Sequence, residues 1–366
     1  MPLALVHDWL NQLGGAEDVL ETLVGMFPGA PVHTSIYWRE KMPAAHRQWP
    51  IRVSFMDRLP GVYRHHQPYL PLYPLAFERF DLAGFDLVLS NKSGFCHGVR
   101  PAPGAVHVCY CLTPTRYVWD FEHYAGREGL GRGARLALRP LLGALRGWDL
   151  AAARRVDHFI AISSAVQRRI TRFYGRESTI IHPPVDTARF AAAARPAGPG
   201  PDSYFLSLGR LIPYKRVDLA VAACTRLGLP LLVGGDGRDR ARLERMAGPT
   251  VKFLGRVPEA DLPALVAGCR AFIFPGLEDF GIAPVQALAA GRPVVALAGG
   301  GALDIVEDGA NGVLFQEPDE QALGAALERV GRLRFEPAAL QESARRFDRG
   351  RFVEQLQAFL SRVRAA

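Results

Sequence analysis

Residues 271–291 read AFIFPGLEDFGIAPVQALAAG, and this stretch carries the strongest indication of the fold. Residues 271–274 are all apolar, which is typical of a short buried strand, and Gly281 stands just before an apolar helical stretch. A fully apolar strand, a turn and a helix form the repeating unit of a parallel, doubly wound sheet. The segment therefore predicts one βα unit of an α/β domain.

The same alternation continues on both sides of this segment. Apolar runs separated by mostly helical stretches begin at Tyr204, Leu231, Val251, Pro293 and Gly312. In the first half a run from Leu3 precedes a glycine turn and a helical pattern over residues 16–26, and further runs begin at Leu87, Val106 and His158. The pattern predicts two Rossmann-like doubly wound domains that face each other across a cleft.

The boundary between the two domains is predicted from composition. Residues 190–201 lack periodicity and are dominated by alanine, proline and glycine, as in a linker. We therefore expect an N-terminal domain over residues 1–195 and a C-terminal domain over residues 200–345. A final helix over residues 351–366 is expected to cross back to the first domain.

Composition and charge restrict the class of protein. With 49% hydrophobic and 22% charged residues, the chain of 366 residues has the balance of a folded globular protein. Its net charge of +8 favours an anionic partner, which could be a phosphorylated small molecule, a membrane surface or nucleic acid. No nucleic-acid recognition motif accompanies the charge, so nucleic acid is the least favoured partner.

The sequence also allows predictions about localisation, the state of the cysteines and metal binding. No apolar run is long enough to cross a bilayer and the first residues do not resemble a signal peptide, which predicts a cytoplasmic protein. The five scattered cysteines are expected to be reduced core thiols. There is neither an Asp-x-Asp motif nor a His/Cys cluster with zinc spacing, so we expect no metal and no cofactor.

Two segments of the second half combine features that suit a diphosphate. Arg210 and Lys215 follow the first strand of this half, at the sheet edge where ligands bind. Gly281 lets the backbone approach a ligand closely, and the helix expected from Ile282 has unpaired N–H groups at its start. Taken separately, the same residues could form a solvated basic loop and an ordinary helix start.

These segments resemble the donor domain of glycosyltransferase family 4, whose members have the GT-B fold. The resemblance rests on Gly209-Arg-Leu, Lys215-Arg, Gly234-Gly-Asp-Gly, Phe253-Leu-Gly and Glu278-Asp-Phe-Gly-Ile. In the first half, Gly14-Gly-Ala-Glu and residues 110–120 are similar to mannosyltransferase-like members of that family. The resemblance thus covers nearly the whole chain and is strongest in the second half.

The resemblance implies a retaining, metal-independent transferase that moves a hexose, with mannose favoured, from GDP-mannose or a UDP-sugar to a lipid-linked or oligosaccharide acceptor. The implied catalytic residues are Glu278, Arg210 and Lys215. The implied donor-binding residues are Gly14, Gly15, Arg256, Val257, Phe280, Gly281, Ile282, Ala283 and Gln286. The candidates on the acceptor side are His7, Asp8, Thr113, Arg116 and Tyr117.

The chain departs from the family pattern at two positions. Gln286 stands where the family has a second glutamate that holds the ribose hydroxyls, so a charge-assisted hydrogen bond is lost. Leu112 stands where many members have a histidine that contacts the donor sugar. Either the reaction proceeds without that histidine, or His7, Asp8 or His107 reaches the same place.

Alternative functions remain at this point. The chain could bind nucleotide sugars without transferring them, act as a sugar-nucleotide 2-epimerase on the same fold, or bind polyanions. The basic, leucine-rich residues 127–176 could lie on the inner face of an anionic membrane as a peripheral anchor, or could pack normally with one solvated face. The proline-rich residues 60–74 could form an acceptor-side loop or an ordinary surface loop.

Overall fold

The computed structural model describes residues 2–121, 131–193 and 204–365. The chain divides into two compact units. Unit 1 comprises Met1–His182 together with Gln355–Ala366, and unit 2 comprises Pro183–Glu354. The division falls before the predicted linker: residues 194–201 of that linker lie outside the described residues, and Phe190 belongs to a helix of unit 2.

Unit 1 is built on a parallel sheet of seven strands. The strands are β1 (Leu3–His7), β2 (Val32–Thr34), β3 (Ile51–Val53), β4 (Leu87–Lys92), β5 (Val106–Cys111), β6 (His158–Ala161) and β7 (Ser178–Ile180). Their order across the sheet is β3-β2-β1-β4-β5-β6-β7. The helices are α1 (Gly15–Met26), α2 (Tyr73–Glu78), α3 (Arg116–Trp119), α4 (Arg132–Arg154) and α5 (Ser164–Tyr174).

Three strands of unit 1 were not predicted. The strands β2, β3 and β7 have only three residues each. The strand β3 lies at the edge of the sheet, with Ile51 half-buried and Arg52 and Val53 exposed. A run of three residues is too short to show periodicity, so such strands form only because a neighbouring strand offers its backbone groups. The longer strands β1 and β4 are buried along their whole length, although β4 extends beyond its predicted apolar run to include Asn91 and Lys92.

Unit 2 is built on a parallel sheet of six strands. The strands are β8 (Phe205–Leu208), β9 (Leu231–Gly234), β10 (Val251–Gly255), β11 (Ala271–Phe274), β12 (Val294–Leu297) and β13 (Gly312–Phe315). The helices are α6 (Thr187–Ala191), α7 (Val217–Leu227), α8 (Arg240–Met246), α9 (Leu262–Ala267), α10 (Ile282–Ala289), α11 (Ala302–Ile305), α12 (Glu320–Arg332) and α13 (Pro337–Ala344). The last helix, α14 (Arg349–Ala365), begins in unit 2 and contributes its residues from Gln355 to unit 1.

The strand order of unit 2 places the candidate donor residues. The order is β10-β9-β8-β11-β12-β13, so β8 and β11 are neighbours although they are distant in sequence. This reversal of strand order is the topological switch point of a doubly wound sheet, where ligands bind beyond the carboxyl ends of the strands. All six strands predicted for this half are present, and two parallel-sheet α/β units confirm the predicted fold class.

The cysteines are all buried and free. Burial raises the pKa of the Cys224 and Cys269 thiols to about 12, which keeps them protonated and unreactive. Among the helices of the described residues, none has the length and apolar character needed to cross a membrane. The same described ranges contain no group of three or more His, Cys, Asp or Glu side chains that could hold a metal ion.

Buried histidines predict that unit 1 loses stability in acid. Burial lowers the pKa of His33, His66 and His107 to about 4, against an ordinary value near 6.5. The folded state therefore binds fewer protons than the unfolded chain between these values, and the free energy of unfolding falls as the pH falls from about 6.5 to 4. Each of these histidines contributes a slope of up to about 1.4 kcal/mol per pH unit.

Urea unfolding of the whole chain at pH 7.5, 6 and 5 measures this slope. The exposed His65 provides the control, because His65→Gln removes an imidazole that is not buried. His107→Gln is expected to reduce the slope and His65→Gln to leave it unchanged. A midpoint that does not move between pH 7.5 and 5 would contradict the assignment of neutral, buried imidazoles.

Candidate functional site

The candidate site of unit 2 centres on two side chains at the switch point. Lys215 Nζ donates to both carboxylate oxygens of Glu278, at 2.8 Å to Oε1 and 3.0 Å to Oε2. Lys215 lies on the loop after β8 and Glu278 on the loop after β11, and their side chains are 19% and 18% exposed. The sheet topology therefore joins two charged residues that are 63 positions apart in sequence.

The start of α10 lies next to this pair. Gly281 is the residue before the helix and has a φ of 116°, which residues other than glycine rarely adopt. As a glycine, it provides no side-chain hydrogen bond to cap the start of the helix. The first N–H groups of α10 have no partner within the helix, and the helix dipole makes them a favourable site for an anion. Glu278, the residue that Lys215 contacts, stands three positions before Gly281 in the chain.

A glycine turn holds the backbone of Glu278 in place, and sequence reasoning missed it. The Gly301 N–H donates to the Glu278 carbonyl oxygen at 2.9 Å, and a Cβ at Gly300 would lie only 2.1 Å from that oxygen. The signal was present as three consecutive glycines at positions 299–301, which one residue separates from the strand at 294–297. The turn after β12 thus completes the site by close backbone packing.

The other predicted donor-binding residues lie at the same edge of this sheet. Phe280 is buried, whereas Ile282, Ala283 and Gln286 are half-buried along α10. Arg210 is exposed on the loop that carries Lys215. The exposed Arg256 and the half-buried Val257 follow β10, which two intervening strands separate from β11. The structure therefore places the phosphate candidates close together and the base candidates further along the edge.

In unit 1, the predicted Gly14 and Gly15 lie exposed at the start of α1. A buried set of polar groups supports this turn. Asn91 Nδ2 donates to the Ala16 carbonyl oxygen at 2.8 Å and lies 3.2 Å from His7 Nδ1, while His7 Nε2 lies 3.3 Å from Glu17 Oε1. Because the asparagine NH₂ can only donate, His7 accepts at Nδ1 and donates from Nε2 to the Glu17 carboxylate.

The predicted acceptor-side residue Asp8 has a structural role in this unit. Its fully buried carboxylate accepts backbone N–H bonds from Ser93, Gly94, Phe95 and Cys96 at 2.6 to 2.8 Å and one from the Ser93 hydroxyl at 3.1 Å. An ionised carboxylate has about four acceptor positions, so this set of donors occupies it. Asp8 therefore fixes the loop after β4.

The remaining acceptor-side candidates follow Leu112 within five positions of the chain. Thr113 is buried, while Arg116 and Tyr117 are half-buried in α3. Leu112 is 9% exposed. His107 lies near the amino end of β5, away from Leu112, with its Nε2 3.0 Å from the Ser90 hydroxyl. Of the three polar groups considered as substitutes for a histidine at 112, His7, Asp8 and His107, all are buried and hydrogen-bonded within unit 1.

Comparison with known protein families matches almost the whole chain. Residues 13–189 match the family described as "Glycosyltransferase Family 4", and residues 191–347 match "Glycosyl transferases group 1". Among curated proteins, the chain is 34% identical over 224 residues to a glycogen synthase of Mycobacterium tuberculosis, covering 57% of this chain and 52% of that protein. It thus spans about half the length of the curated relatives that it matches.

The name of a second relative specifies both a donor and an acceptor. The chain is 31% identical over 231 residues to the GDP-mannose-dependent alpha-(1-6)-phosphatidylinositol monomannoside mannosyltransferase of Mycolicibacterium smegmatis, covering 53% of this chain and 60% of that protein. Among solved structures, Anabaena Alr3699/HepE in complex with UDP-glucose matches with a TM-score of 0.69 at 21% identity, covering 98% of this chain and 99% of that one. At this identity the structural match shows the shared fold.

Proposed function

This chain belongs to glycosyltransferase family 4, and from that premise we propose that it transfers a hexose, with mannose favoured, from a nucleoside diphosphate donor to a saccharide or lipid-linked acceptor. The observation that carries the proposal is the Lys215–Glu278 pair at the switch point of unit 2, beside the start of α10. A cation, a carboxylate and a helix N-terminus in one place suit the phosphate and the sugar of such a donor.

The positive groups would bind and stabilise the leaving diphosphate. Lys215, Arg210 and the first N–H groups of α10 supply positive charge and hydrogen-bond donors at the same sheet edge. Such fixed groups act most strongly when the bond to the leaving group breaks, because negative charge then builds up on the phosphate oxygen. They can do this without a divalent cation, which is the basis of the proposed metal independence.

The carboxylate of Glu278 would hold the sugar. In the structure both of its oxygens accept from Lys215, so the two charges neutralise each other at a site that is largely buried. A bound diphosphate attracts the Lys215 ammonium and leaves carboxylate lone pairs for hydroxyls of the hexose. Donor binding and sugar positioning would therefore be coupled through this one ion pair.

Retention of configuration follows if attack and departure share one face of the sugar. The acceptor oxygen forms a bond to the anomeric carbon while the bond from that carbon to the β-phosphate oxygen breaks, and the bonding electron pair leaves with the diphosphate. The acceptor hydroxyl proton passes to a phosphate oxygen. This scheme needs no histidine at position 112, which is consistent with Leu112 and with the buried positions of His7, Asp8 and His107.

Mannose and a lipid-linked acceptor are supported by the names of relatives. The mycobacterial relative described above is named for GDP-mannose and for a phosphatidylinositol monomannoside acceptor. The helix α4 of this chain buries Leu142 and Leu145 and presents the 63% exposed Leu136 together with exposed arginines such as Arg139 and Arg146. Peripheral binding to the cytoplasmic face of an anionic membrane is therefore part of the proposal. Residues 127–130 of the basic segment lie outside the described residues.

Calorimetric titration with GDP and with UDP, in EDTA, tests the donor site. Binding of one nucleotide that is weakened by Lys215→Ala supports the site and identifies the base. A transferase then releases nucleoside diphosphate only when an acceptor is present, whereas an epimerase changes the donor sugar without an acceptor. Absence of binding by either nucleotide would contradict the proposal, and salt-sensitive binding of polyanions without any nucleotide binding would favour a polyanion-binding protein instead.

Replacing the glutamine at position 286 is expected to strengthen nucleotide binding. Gln286 is half-buried on α10, one helical turn after Ile282 and on the same face of the helix. Because a carboxylate accepts charge-assisted hydrogen bonds from ribose hydroxyls, Gln286→Glu is expected to tighten nucleotide binding about tenfold. The same calorimetric titration measures the change, and Gln321→Glu on the exposed side of α12 is a control for added negative charge. Equal dissociation constants for Gln286→Glu and the wild type would remove Gln286 from the ribose site.

A further inference from the structure

The loops that follow the first three strands of unit 1 form a second constellation at the carboxyl edge of its sheet. Leu10 N–H donates to the Ile36 carbonyl oxygen at 2.9 Å, and Trp38 N–H donates to the Leu10 carbonyl oxygen at 2.8 Å. These bonds extend the pairing of β1 and β2 beyond their ends, as the parallel bridge between Leu10 and Tyr37 also shows. Trp38 is therefore fixed at the edge where doubly wound sheets bind ligands.

The loop after β3 is attached to the same place. Asn11 Nδ2 donates to the Tyr63 carbonyl oxygen at 2.9 Å, and Tyr37 N–H donates to Asp57 Oδ1 at 2.8 Å. Tyr63 OH in turn donates to the Asp57 carbonyl oxygen at 3.3 Å. Three loops are thus joined by hydrogen bonds, which gives a preorganised surface on a rigid sheet.

An aromatic pair with two cations occupies this surface. The rings of Trp38 and Tyr63 are nearly parallel, with 19° between their planes and 5.8 Å between their centroids, and both are half-buried. Lys41 Nζ lies 4.9 Å and Arg64 Cζ 5.8 Å from the Trp38 ring centroid. We call these four residues the Trp38 platform. Aromatic rings pack against the C–H faces of sugar rings, while lysine and arginine bind phosphates and carboxylates.

Two buried polar atoms of the loops that carry the Trp38 platform have no hydrogen-bond partner among the described residues. Asn11 is 6% exposed, and no described residue hydrogen-bonds its Oδ1 or the buried hydroxyl of Tyr37. Buried polar groups in native proteins normally have partners, so these two need a water or a ligand. The loops also carry Arg39 and Arg58, so that cationic side chains outnumber the carboxylates of Glu40 and Asp57.

We propose that the Trp38 platform binds the acceptor, and that this acceptor is a saccharide carrying a negatively charged group, either a phosphate or a uronic acid carboxylate. The inference rests on the proposed transferase function and assigns the acceptor to residues other than Thr113, Arg116 and Tyr117. The aromatic pair accounts for the sugar ring and the two cations for the charge. Lys41 and Arg64 lose their contact with the Trp38 ring in exchange for stronger, charge-assisted bonds to the anion.

Ligand-observed NMR titration of the full chain, without donor, tests the platform with three disaccharide probes. The probes are neutral mannobiose, mannobiose 6-phosphate and a disaccharide that ends in glucuronic acid. The anionic probes are expected to bind about tenfold more tightly than mannobiose. Whichever anionic probe binds more tightly identifies phosphate or carboxylate as the natural group. Equal affinity for all three probes would overturn the proposed charge recognition.

Matched variants separate the aromatic from the electrostatic contribution. Trp38→Ala is expected to weaken all three probes about tenfold and Trp38→Phe much less, whereas Lys41→Ala with Arg64→Ala removes only the preference for the anionic probes. The controls are Trp49→Ala and Arg47→Ala, because Trp49 is also half-buried and stacked, on His46 at 3.9 Å, but precedes β3 at the opposite edge. Unchanged probe binding in Trp38→Ala would overturn the platform.

Nucleotide titration of the same variants keeps the two proposals distinguishable. GDP and UDP binding is expected to be the same in Trp38→Ala as in the wild type, since the donor residues proposed above belong largely to unit 2. If the wild type binds the anionic probes but no nucleotide, the platform stands as a saccharide site and the transferase proposal fails. If it binds a nucleotide but none of the probes, the platform fails and the donor site stands.

Discussion

Lys215→Ala is expected to lower kcat by about 10²–10³-fold, since removing one preorganised donor from a site of developing charge costs that much in other enzymes. The loss concerns the transition state, because the Lys215 ammonium would neutralise the leaving diphosphate. The free energy of unfolding is expected to fall by about 1–2 kcal/mol, because less than a fifth of each side chain of the Lys215–Glu278 pair is exposed and the variant leaves Glu278 without this partner.

Steady-state kinetics and thermal unfolding, measured on the same preparation, check this expectation. Arg226→Ala is the matched control: it also removes a cation from an ion pair of unit 2, with Glu320 at 2.6 Å, but that pair is exposed and lies at the far end of α7. Its kcat is expected to equal that of the wild type. Lys215→Arg should recover part of the activity because it restores the charge. A Lys215→Ala enzyme with normal kcat would mean that the phosphate assignment is wrong.

Lys92→Met is expected to destabilise unit 1 by about 3–5 kcal/mol, the usual result of removing one partner of a buried charge pair. Lys92 is fully buried, and its Nζ donates to the Thr113 carbonyl oxygen and to Thr115 Oγ1, both at 3.1 Å. Thr115 Oγ1 lies 2.7 Å from Asp149 Oδ1, so a hydroxyl bridges the two charges. Burial alone would lower the pKa of Lys92, but the Asp149 carboxylate and other nearby groups raise it overall, which keeps Lys92 charged.

Most of the expected loss of stability comes from Asp149, which stays buried after Lys92 is replaced. Asp149 is fully buried and also accepts from Trp119 Nε1 at 2.7 Å and Tyr174 OH at 2.8 Å, so without Lys92 its charge is left in the interior. Combining Lys92→Met with Asp149→Asn should therefore cost less than the sum of the two single changes.

Urea unfolding of the two single variants and the double variant measures this coupling. Arg100→Ala is the control, since it breaks an ion pair with Glu78 in the same unit, but one in which the arginine is 61% exposed. It is expected to change the free energy of unfolding by less than about 1 kcal/mol. Strictly additive effects of Lys92→Met and Asp149→Asn would show that the two charges are not coupled.

The elements of unit 2 and the short strands of unit 1 differ in how well the local sequence predicts them. The strands and helices of unit 2 could be predicted because each has a characteristic pattern in its own residues. Examples are the apolar run at 271–274 and the glycine before Ile282. The short strands β2, β3 and β7 could not, because three residues carry no period of their own. The backbone pairing that a neighbouring strand offers decides whether they form.

The candidate site shows the same division. Lys215, Glu278 and Gly281 could each be selected from sequence, because a cation, a carboxylate and a glycine at strand ends suit a diphosphate sugar. The sequence did not indicate that Lys215 and Glu278 are hydrogen-bonded to each other, nor that Gly301 holds the Glu278 carbonyl oxygen. Asp8 was selected on the acceptor side because it follows a strand, whereas the folded loop uses its carboxylate for four backbone N–H groups.

The α/β class, the repeated βα units and the residue types at the strand ends follow from local sequence, because apolar periodicity and turn residues act over a few positions. Tertiary structure alone decided which of those ends lie side by side. The strand order makes β8 and β11 neighbours and brings Lys215 to Glu278 across 63 positions, and hydrogen bonds among three loops fix Trp38 next to Tyr63. Contacts of this kind depend on how distant segments pack, and no local pattern encodes them.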